Sequence, residues 1–177
     1  MDLGRALSLI RPIPDYPMPG ILFQDITPLL ADAQAFDRII TEIASFDPVS
    51  EIAVGIEARG FILASALAVK KKIGFVPLRK KGKLPAETYS RSYGLEYGID
   101  ELEIHRDALK PGTRVTLIDD VLATGGTLEA AIALVADAGG EVTRSDIQIV
   151  VVPEPASIAM IGLVSGGALF IRRRFLI

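Results

Sequence analysis

Cysteine is absent from the 177 residues, and histidine occurs once, as His105. Without cysteine there is no disulfide, no thiolate nucleophile and no cysteine-based zinc site, and one histidine cannot build a histidine metal cluster. An excess of positive charge is also missing. The formal net charge is −3, which argues against a general nucleic-acid binder. Neither common phosphate-loop fingerprint occurs: there is no G-x-x-x-x-G-K-[ST], and no G-x-G-x-x-G follows the first strand. The opening MDLGRALSLIRPIPDYP lacks the apolar core of a secretory signal; its Leu3, Ala6, Leu7 and Ile10 instead fit one face of a short amphipathic helix. No internal repeat or low-complexity tract is found. What is present is a 50% apolar chain of a length suited to one domain with a real core.

Four prolines between Pro12 and Pro19 predict an irregular loop. Asp32 then offers an N-cap, and Phe36, Ile39, Ile40, Ile43 and Phe46 repeat at helical spacing until Asp47-Pro48. EIAVGI (51–56) reads as a short strand, EARG as a turn, and FILASALAV (61–69) as a helix buried on most sides. Lys70, Lys71 and Lys72 would complement the dipole at its end. A second strand is expected near Ile73 to Leu78. Between Arg79 and Ile104 the glycines at 82, 94 and 98 punctuate alternating runs, which suits a β-hairpin or flap. RVTLI (114–118) is a further strand. Leu128, Ala131, Ile132 and Val135 mark a helix that Gly139-Gly140 stops, and IQIVVV (147–152) is the next strand. Strands alternating with helices predict an α/β fold with a mostly parallel sheet. His105 is expected at the surface, without a role.

The stretch VTLIDDVLATGGT (115–127) carries the clearest chemistry. In open α/β sheets ligands sit beyond the carboxyl ends of strands, where Asp119 and Asp120 fall. Gly125 and Gly126 permit tight turns, so successive N–H groups can face one concavity at a helix N-terminus. Thr124 and Thr127 add hydroxyls. Such a nest fits a phosphate monoester, and two adjacent carboxylates suit a ribose diol. The stretch resembles the 5-phosphoribosyl-1-pyrophosphate (PRPP) signature of type I phosphoribosyltransferases. That resemblance implies their fold, with a mostly parallel central sheet flanked by helices, an N-terminal hood and a β-hairpin flap. It assigns Asp119 and Asp120 to the ribose hydroxyls and Ala123, Thr124, Gly125, Gly126 and Thr127 to the 5′-phosphate.

Two more stretches, DYPMPGILFQDITPLL (15–30) and RKKGKLPAETYSRSYGLEYGIDELEIHRDALKPG (79–112), resemble the hood and flap of the adenine branch of that family. Phe23 can offer an aromatic face to a purine, while main-chain groups of Leu22 and Gln24 would read the amino edge. The family commonly carries arginine at the position of Gln24, which matters little if only the main chain reads the base. EARGF (57–61) looks like the family's pyrophosphate loop, with Arg59 as a fork of donors matched to phosphate oxygens. Arg79, Lys80, Lys81 and Lys83 on a flap would close over the leaving pyrophosphate; Arg79, Lys80 and Lys83 are its expected ligands. Glu96 and Tyr97 match the flap's catalytic pair, a carboxylate to assist loss of the adenine proton and a phenol to orient the ring or ribose. The resemblance implies transfer of the phosphoribosyl group from PRPP to adenine in a cytoplasmic homodimer. It also implies Mg²⁺ carried mainly by PRPP, with no direct protein ligand.

The likeness stops near Pro153. The remaining VPEPASIAMIGLVSGGALFIRRRFLI places 17 uncharged residues between Glu154 and Arg172 and then three arginines. As a helix that run would span about 25 Å, at the short edge of bilayer thickness. Its order resembles a PEP-CTERM sorting tail and implies membrane contact through 156–174; the alternatives are a helix packed on the body or a fusion artefact. The arginines would stay cytoplasmic and put an enzyme outside, which conflicts with salvage inside the cell. The expected organisation is a phosphoribosyltransferase domain over 1–152 (hood about 1–30, flap about 79–105) and an atypical tail over 153–177. Two other functions compete: a PRPP-binding regulator without turnover, and a membrane-sorted protein with a vestigial enzyme body.

Overall fold

The computed structural model describes residues 1–95, 98–122, 125–147 and 150–151. In chain order its elements are α1 (Leu3–Leu7), β1 (Arg11–Pro14), β2 (Leu22–Asp25), α2 (Thr27–Ala31), α3 (Ala33–Phe46), β3 (Ile52–Ile56) and α4 (Arg59–Lys71). They continue as β4 (Gly74–Lys80), β5 (Thr88–Leu95), β6 (Gly98–His105), β7 (Thr113–Ile118), β8 (Val121–Leu122), α5 (Gly126–Asp137), β9 (Gly140–Ile147) and β10 (Val150–Val151). The main sheet runs β5-β6-β4-β3-β7-β9. Strands β4, β3, β7 and β9 are mutually parallel, and β6 runs antiparallel to both β4 and β5.

Both faces of the parallel part are covered, so its strands are apolar on both sides. Ala53 and Ile118 face one core, filled by Ile39, Ile40 and Ile43 of α3 and Leu63 and Leu67 of α4. Val54, Ile56, Val115 and Leu117 face the other, closed by Ala131, Leu134 and Val135 of α5 and Leu102 and Ile104 of β6. Asp32 caps α3 as expected, its Oδ1 accepting from the Gln34 and Ala35 amides at 3.0 and 2.9 Å. Below the cores lies a polar pin. The buried Asp47 accepts from the hydroxyls of Thr116 on β7 (2.5 Å) and Thr143 on β9 (2.6 Å), and from the amides of Val49 and Ser50. Lys71 reaches the Asp47 carbonyl and the Ser50 hydroxyl, and Lys70 binds Asp37 at 2.6 Å.

Four expectations are corrected. The proline-rich segment is not wholly irregular: β1 pairs antiparallel with β2 in a separate two-stranded sheet. Pro12 and Pro14 are tolerated because they alternate, leaving Ile13 between them to carry the paired bonds. Helix α4 is not buried on most sides, since Val69 is 81% and Ile62 41% exposed. The strand after α5 begins at Gly140, seven residues before Ile147, and β10 pairs instead with β8. GEVTRSD escapes notice as a strand because β9 lies at the sheet edge and does not need a continuous apolar run. His105 is half-buried rather than a surface side chain, and its Nε2 is shielded without a hydrogen-bond partner.

Candidate active site

Strands β3 and β7 are parallel neighbours with Gly55 opposite Ile118, so the chain leaving each strand emerges at the same sheet edge. From β3 come Glu57, Ala58 and Arg59; from β7 come Asp119 and Asp120. The approach is close. A Cβ on Gly60 would stand 2.7 Å from the Ile118 carbonyl oxygen and 3.4 Å from Asp119 Cα, and one on Gly55 would stand 2.8 Å from the Gly60 oxygen. Two glycines therefore let the first turn of α4 rest on the end of β7. No spacing rule in the sequence singled them out, because the contact depends on register between distant strands.

Arg59 joins three of the predicted parts. Its Nε lies 2.7 Å from Asp120 Oδ2, and its guanidinium carbon lies 5.0 Å from the centroid of the Phe23 ring. Tyr16 meets the same ring edge-on, with centroids 5.2 Å apart. Asp120 is 2% exposed, and its Oδ2 has no aligned hydrogen-bond donor, so Arg59 holds it by charge rather than by a directed bond. Asp119 has no cation at that distance among the described residues. Burial, reinforced by the charge of Asp120, pushes its carboxyl up to about 7, against the opposing pull of the Asp120 amide donating to its Oδ1 at 2.9 Å. The two adjacent acids thus differ: Asp120 is paired with Arg59, while Asp119, without such a cation among the described residues, is the one whose carboxyl is raised.

At the start of α5, Gly125 occupies the N-cap with φ +90°, a left-handed conformation that glycine takes without a Cβ penalty. It has no side chain with which to cap the helix, so a ligand can take that place. Gly126 and Thr127 form the first turn. Ala123 and Thr124 lie outside the described residues.

Two of the predicted pyrophosphate cations, Arg79 and Lys80, are already engaged. Arg79 donates through Nε and Nη2 to Glu57 (both 3.3 Å) and through Nη1 to the Lys83 carbonyl (3.0 Å). The Lys80 amide donates to Glu57 Oε2 at 2.8 Å, and its ammonium pairs with Asp100 Oδ2 at 2.8 Å. Glu57, Gly60, Tyr93 and Asp100 are the residues of this region that sequence reasoning missed. Glu57 was detectable as an acid beside the arginine of EARGF; Tyr93 and Asp100 become partners only when the hairpin pairs them.

In the hood, neither Pro12 nor Pro14 has an N–H, and they face Gln24 and Leu22. The ladder bonds therefore run through Ile13–Phe23 and Arg11–Asp25, and the main-chain groups of Leu22 and Gln24 point away from β1. Asp25 anchors the hairpin: bonds from Thr27 and then Arg11 hold its carboxyl down to about 2. Glu96 and Tyr97 lie outside the described residues. Among the described residues no group of three or more His, Asp or Glu side chains could hold a metal ion.

A sheet with this acid pair, glycine turn and hairpin flap is that of a phosphoribosyltransferase, and comparison with known proteins agrees. The family model described as "Phosphoribosyl transferase domain" matches residues 29–157. Adenine phosphoribosyltransferase of Chelativorans sp. (strain BNC1) is 55% identical over 145 residues, covering 78% of each chain. The crystal structure of adenine phosphoribosyltransferase from Thermoanaerobacter pseudethanolicus superposes with a TM-score of 0.77 at 48% identity, covering 83% of this chain and 85% of that one. The Giardia lamblia enzyme complexed with 9-deazaadenine gives 0.75 at 42%, covering 80% of both. The chain belongs to the adenine phosphoribosyltransferase family. A second family model, "PEP-CTERM protein-sorting motif", matches residues 151–174, nearly all outside the described residues. No helix among the described residues is long and apolar enough to cross a membrane.

Proposed function

We propose that the protein transfers the phosphoribosyl group of PRPP to adenine, giving AMP and pyrophosphate. The observation that carries this reading is Arg59, which touches both a candidate ribose acid and a candidate base platform. Asp119 and Asp120 accept hydrogen bonds from the ribose diol. The N–H groups of Gly125, Gly126 and Thr127, with Ala123 and Thr124, cradle the 5′-phosphate. Adenine stacks on Phe23, and the outward main chain of Leu22 and Gln24 pairs with its amino edge. Arg59 turns from Asp120 towards the pyrophosphate, joined there by Arg79, Lys80 and Lys83.

As pyrophosphate departs, positive character grows on the anomeric carbon between the two bound fragments. Glu96 takes the proton that adenine N9 loses, and Tyr97 orients the ring or ribose. The oxygen-rich pair Asp119 and Asp120 suits a hard cation held through water, and Mg²⁺ on PRPP would neutralise the leaving group. The exposed apolar residues Ile62, Val69 and Phe75 support a homodimer. The substrates place the reaction in the cytoplasm, and the sorting-motif match over 151–174 supports membrane contact through the tail.

The test incubates purified protein with Mg²⁺, PRPP and a panel of bases, both as the full chain and as a chain ending at Val152. AMP from adenine, and not from the other bases, is the expected result. Failure of both chains to form AMP refutes the assignment. Binding of PRPP without turnover favours a regulator.

A further inference from the structure

Strand β4 changes partner where it reaches the site. Its residues from Gly74 to Leu78 pair with β3, whereas Arg79 and Lys80 pair with β6. On the β3 side the Glu57 amide still donates to the Leu78 carbonyl, at 3.0 Å. In a regular parallel ladder the main-chain carbonyl of Glu57 would accept next, from the Lys80 amide. That amide donates instead to the Glu57 side chain, at Oε2, 2.8 Å away. The carboxylate stands in for its own main-chain carbonyl, and the main chain is released to turn into α4 with Arg59 at its head.

The same carboxylate gathers the rest of the flap root. Arg79 donates to Oε1 through Nη2 and to Oε2 through Nε, both at 3.3 Å. Through Nη1 it donates to the Lys83 carbonyl at 3.0 Å, and the Lys83 amide donates to the Lys80 carbonyl at 3.2 Å. The three candidate pyrophosphate cations of the flap thus hang from one side chain, which precedes the fourth, Arg59, by two residues. Burial pushes the Glu57 carboxyl up, but the Lys80 amide and Arg79 outweigh it and hold the group below the usual carboxylate range. An anion among phosphate ligands repels the phosphate and weakens the site unless it is needed to aim them. The bond to the Lys80 main chain marks Glu57 as a brace, because no phosphate can take that bond over without undoing the end of β4.

We infer that Glu57 is a positioning residue for pyrophosphate. As a substitute ladder acceptor it lets the Arg59 turn leave the sheet while Arg79, Lys80 and Lys83 stay in register beside it, so cations from the ends of β3 and β4 converge on one ligand. The inference rests on the proposed function and deepens it. Glu57 does not touch substrate; Arg79 keeps N–H groups on both Nη atoms for a phosphate oxygen. The 5′-phosphate ligands on α5 and the adenine ligands in the hood do not hang from this carboxylate.

Two variants separate the two kinds of bond. Glu57→Gln keeps an oxygen for the Lys80 amide but loses the charge facing Arg79, and Glu57→Ala loses both. Full-length wild type and variants are compared by calorimetric binding of Mg²⁺-pyrophosphate and, separately, of ribose 5-phosphate, by KM for PRPP and adenine, and by hydrogen exchange at the Lys80 amide. Glu57→Ala should weaken pyrophosphate by about 10-fold, raise KM for PRPP to a similar degree and speed Lys80 exchange, with ribose 5-phosphate and KM for adenine within about 3-fold. Glu57→Gln should leave Lys80 exchange near wild type and weaken pyrophosphate by about 2- to 5-fold. Should Glu57→Ala fail to fold, the split between the two half-ligands in Glu57→Gln decides. Unchanged or tighter pyrophosphate binding overturns the inference, the latter by making Glu57 a mere competitor. Equal weakening of both half-ligands overturns it as well, since that is general loosening of the fold; in each case normal AMP formation by the wild type leaves the proposed function standing. A wild type that binds neither half-ligand and forms no AMP overturns the proposed function and this inference together.

Discussion

Replacing Asp119 with asparagine should stabilise the protein in alkaline solution while weakening its grip on PRPP. The structure places this carboxyl at a buried strand end beside Asp120, whose Oδ2 lies 2.7 Å from Arg59 Nε. Its pKa is raised from 3.8 to about 7, so the folded protein favours the neutral acid. The sign follows: in the unfolded chain Asp119 ionises near pH 4, in the folded chain only near pH 7, so folding stability from this group falls as pH rises across that window. A shift of about three units at ~1.36 kcal/mol each sets a ceiling of about 4 kcal/mol, reached above pH 7. Asparagine resembles the neutral acid in shape and does not ionise. The measurement is urea unfolding of wild type and Asp119→Asn at several pH values between 4 and 8. Near pH 4 the two should be within about 1 kcal/mol, and the variant should gain steadily to an advantage of roughly 2–4 kcal/mol at pH 8. The wild-type-minus-variant difference isolates this group from acids such as Asp25, whose lowered value gives the opposite slope. A difference that stays constant from pH 5 to 8 would refute the reasoning, because Asp119 would then be ionised or neutral alike in both states.

Gly60→Ala puts a methyl 2.7 Å from the Ile118 carbonyl oxygen and 3.4 Å from Asp119 Cα, both backbone atoms; a loss of about 1–3 kcal/mol in thermal or urea unfolding is expected, with a raised KM for PRPP as Asp119 is pushed aside. Arg59→Met strands the buried Asp120 charge. It should lower stability at pH 8 by about 1–2 kcal/mol, a figure reduced because Arg59 itself reaches solvent, and it should raise KM for PRPP by at least about 10-fold. Phe23→Ala removes the proposed base platform; KM for adenine should rise by about 5- to 150-fold, as base stacking is worth ~1–3 kcal/mol, while calorimetric binding of PRPP alone stays within about 3-fold.

The strands and helices around the site were legible because each solves a burial problem locally. IAVGI and TRVTLI are covered on both faces and so read as apolar runs, while Asp32, Gly125 and Gly139 mark helix ends by their own chemistry. Asp119, Asp120 and the glycine turn were legible for the same reason, since carboxylates directly after a buried strand need a partner. What escaped depends on distant pairing. Pro12 and Pro14 argue for a loop until β2 is known to lie opposite. The edge strand β9 hides its strand character in a polar sequence. Arg79 and Lys80 read as free cations, yet Glu57 and Asp100, 22 and 20 residues away, already hold them.

The Asp47 pin reaches beyond stability. Ladder bonds alone tolerate slippage, and the β7–β9 pairing is irregular on both sides of Thr116. Asp47 fixes the alignment there because its Oδ2 meets the hydroxyls of Thr116 and Thr143 together in one arrangement. Losing any one of the three leaves the others with an unmet polar group in the interior. The three positions should therefore covary along lineages of this fold, with the acid-and-two-hydroxyl set kept whole or exchanged whole for an apolar trio.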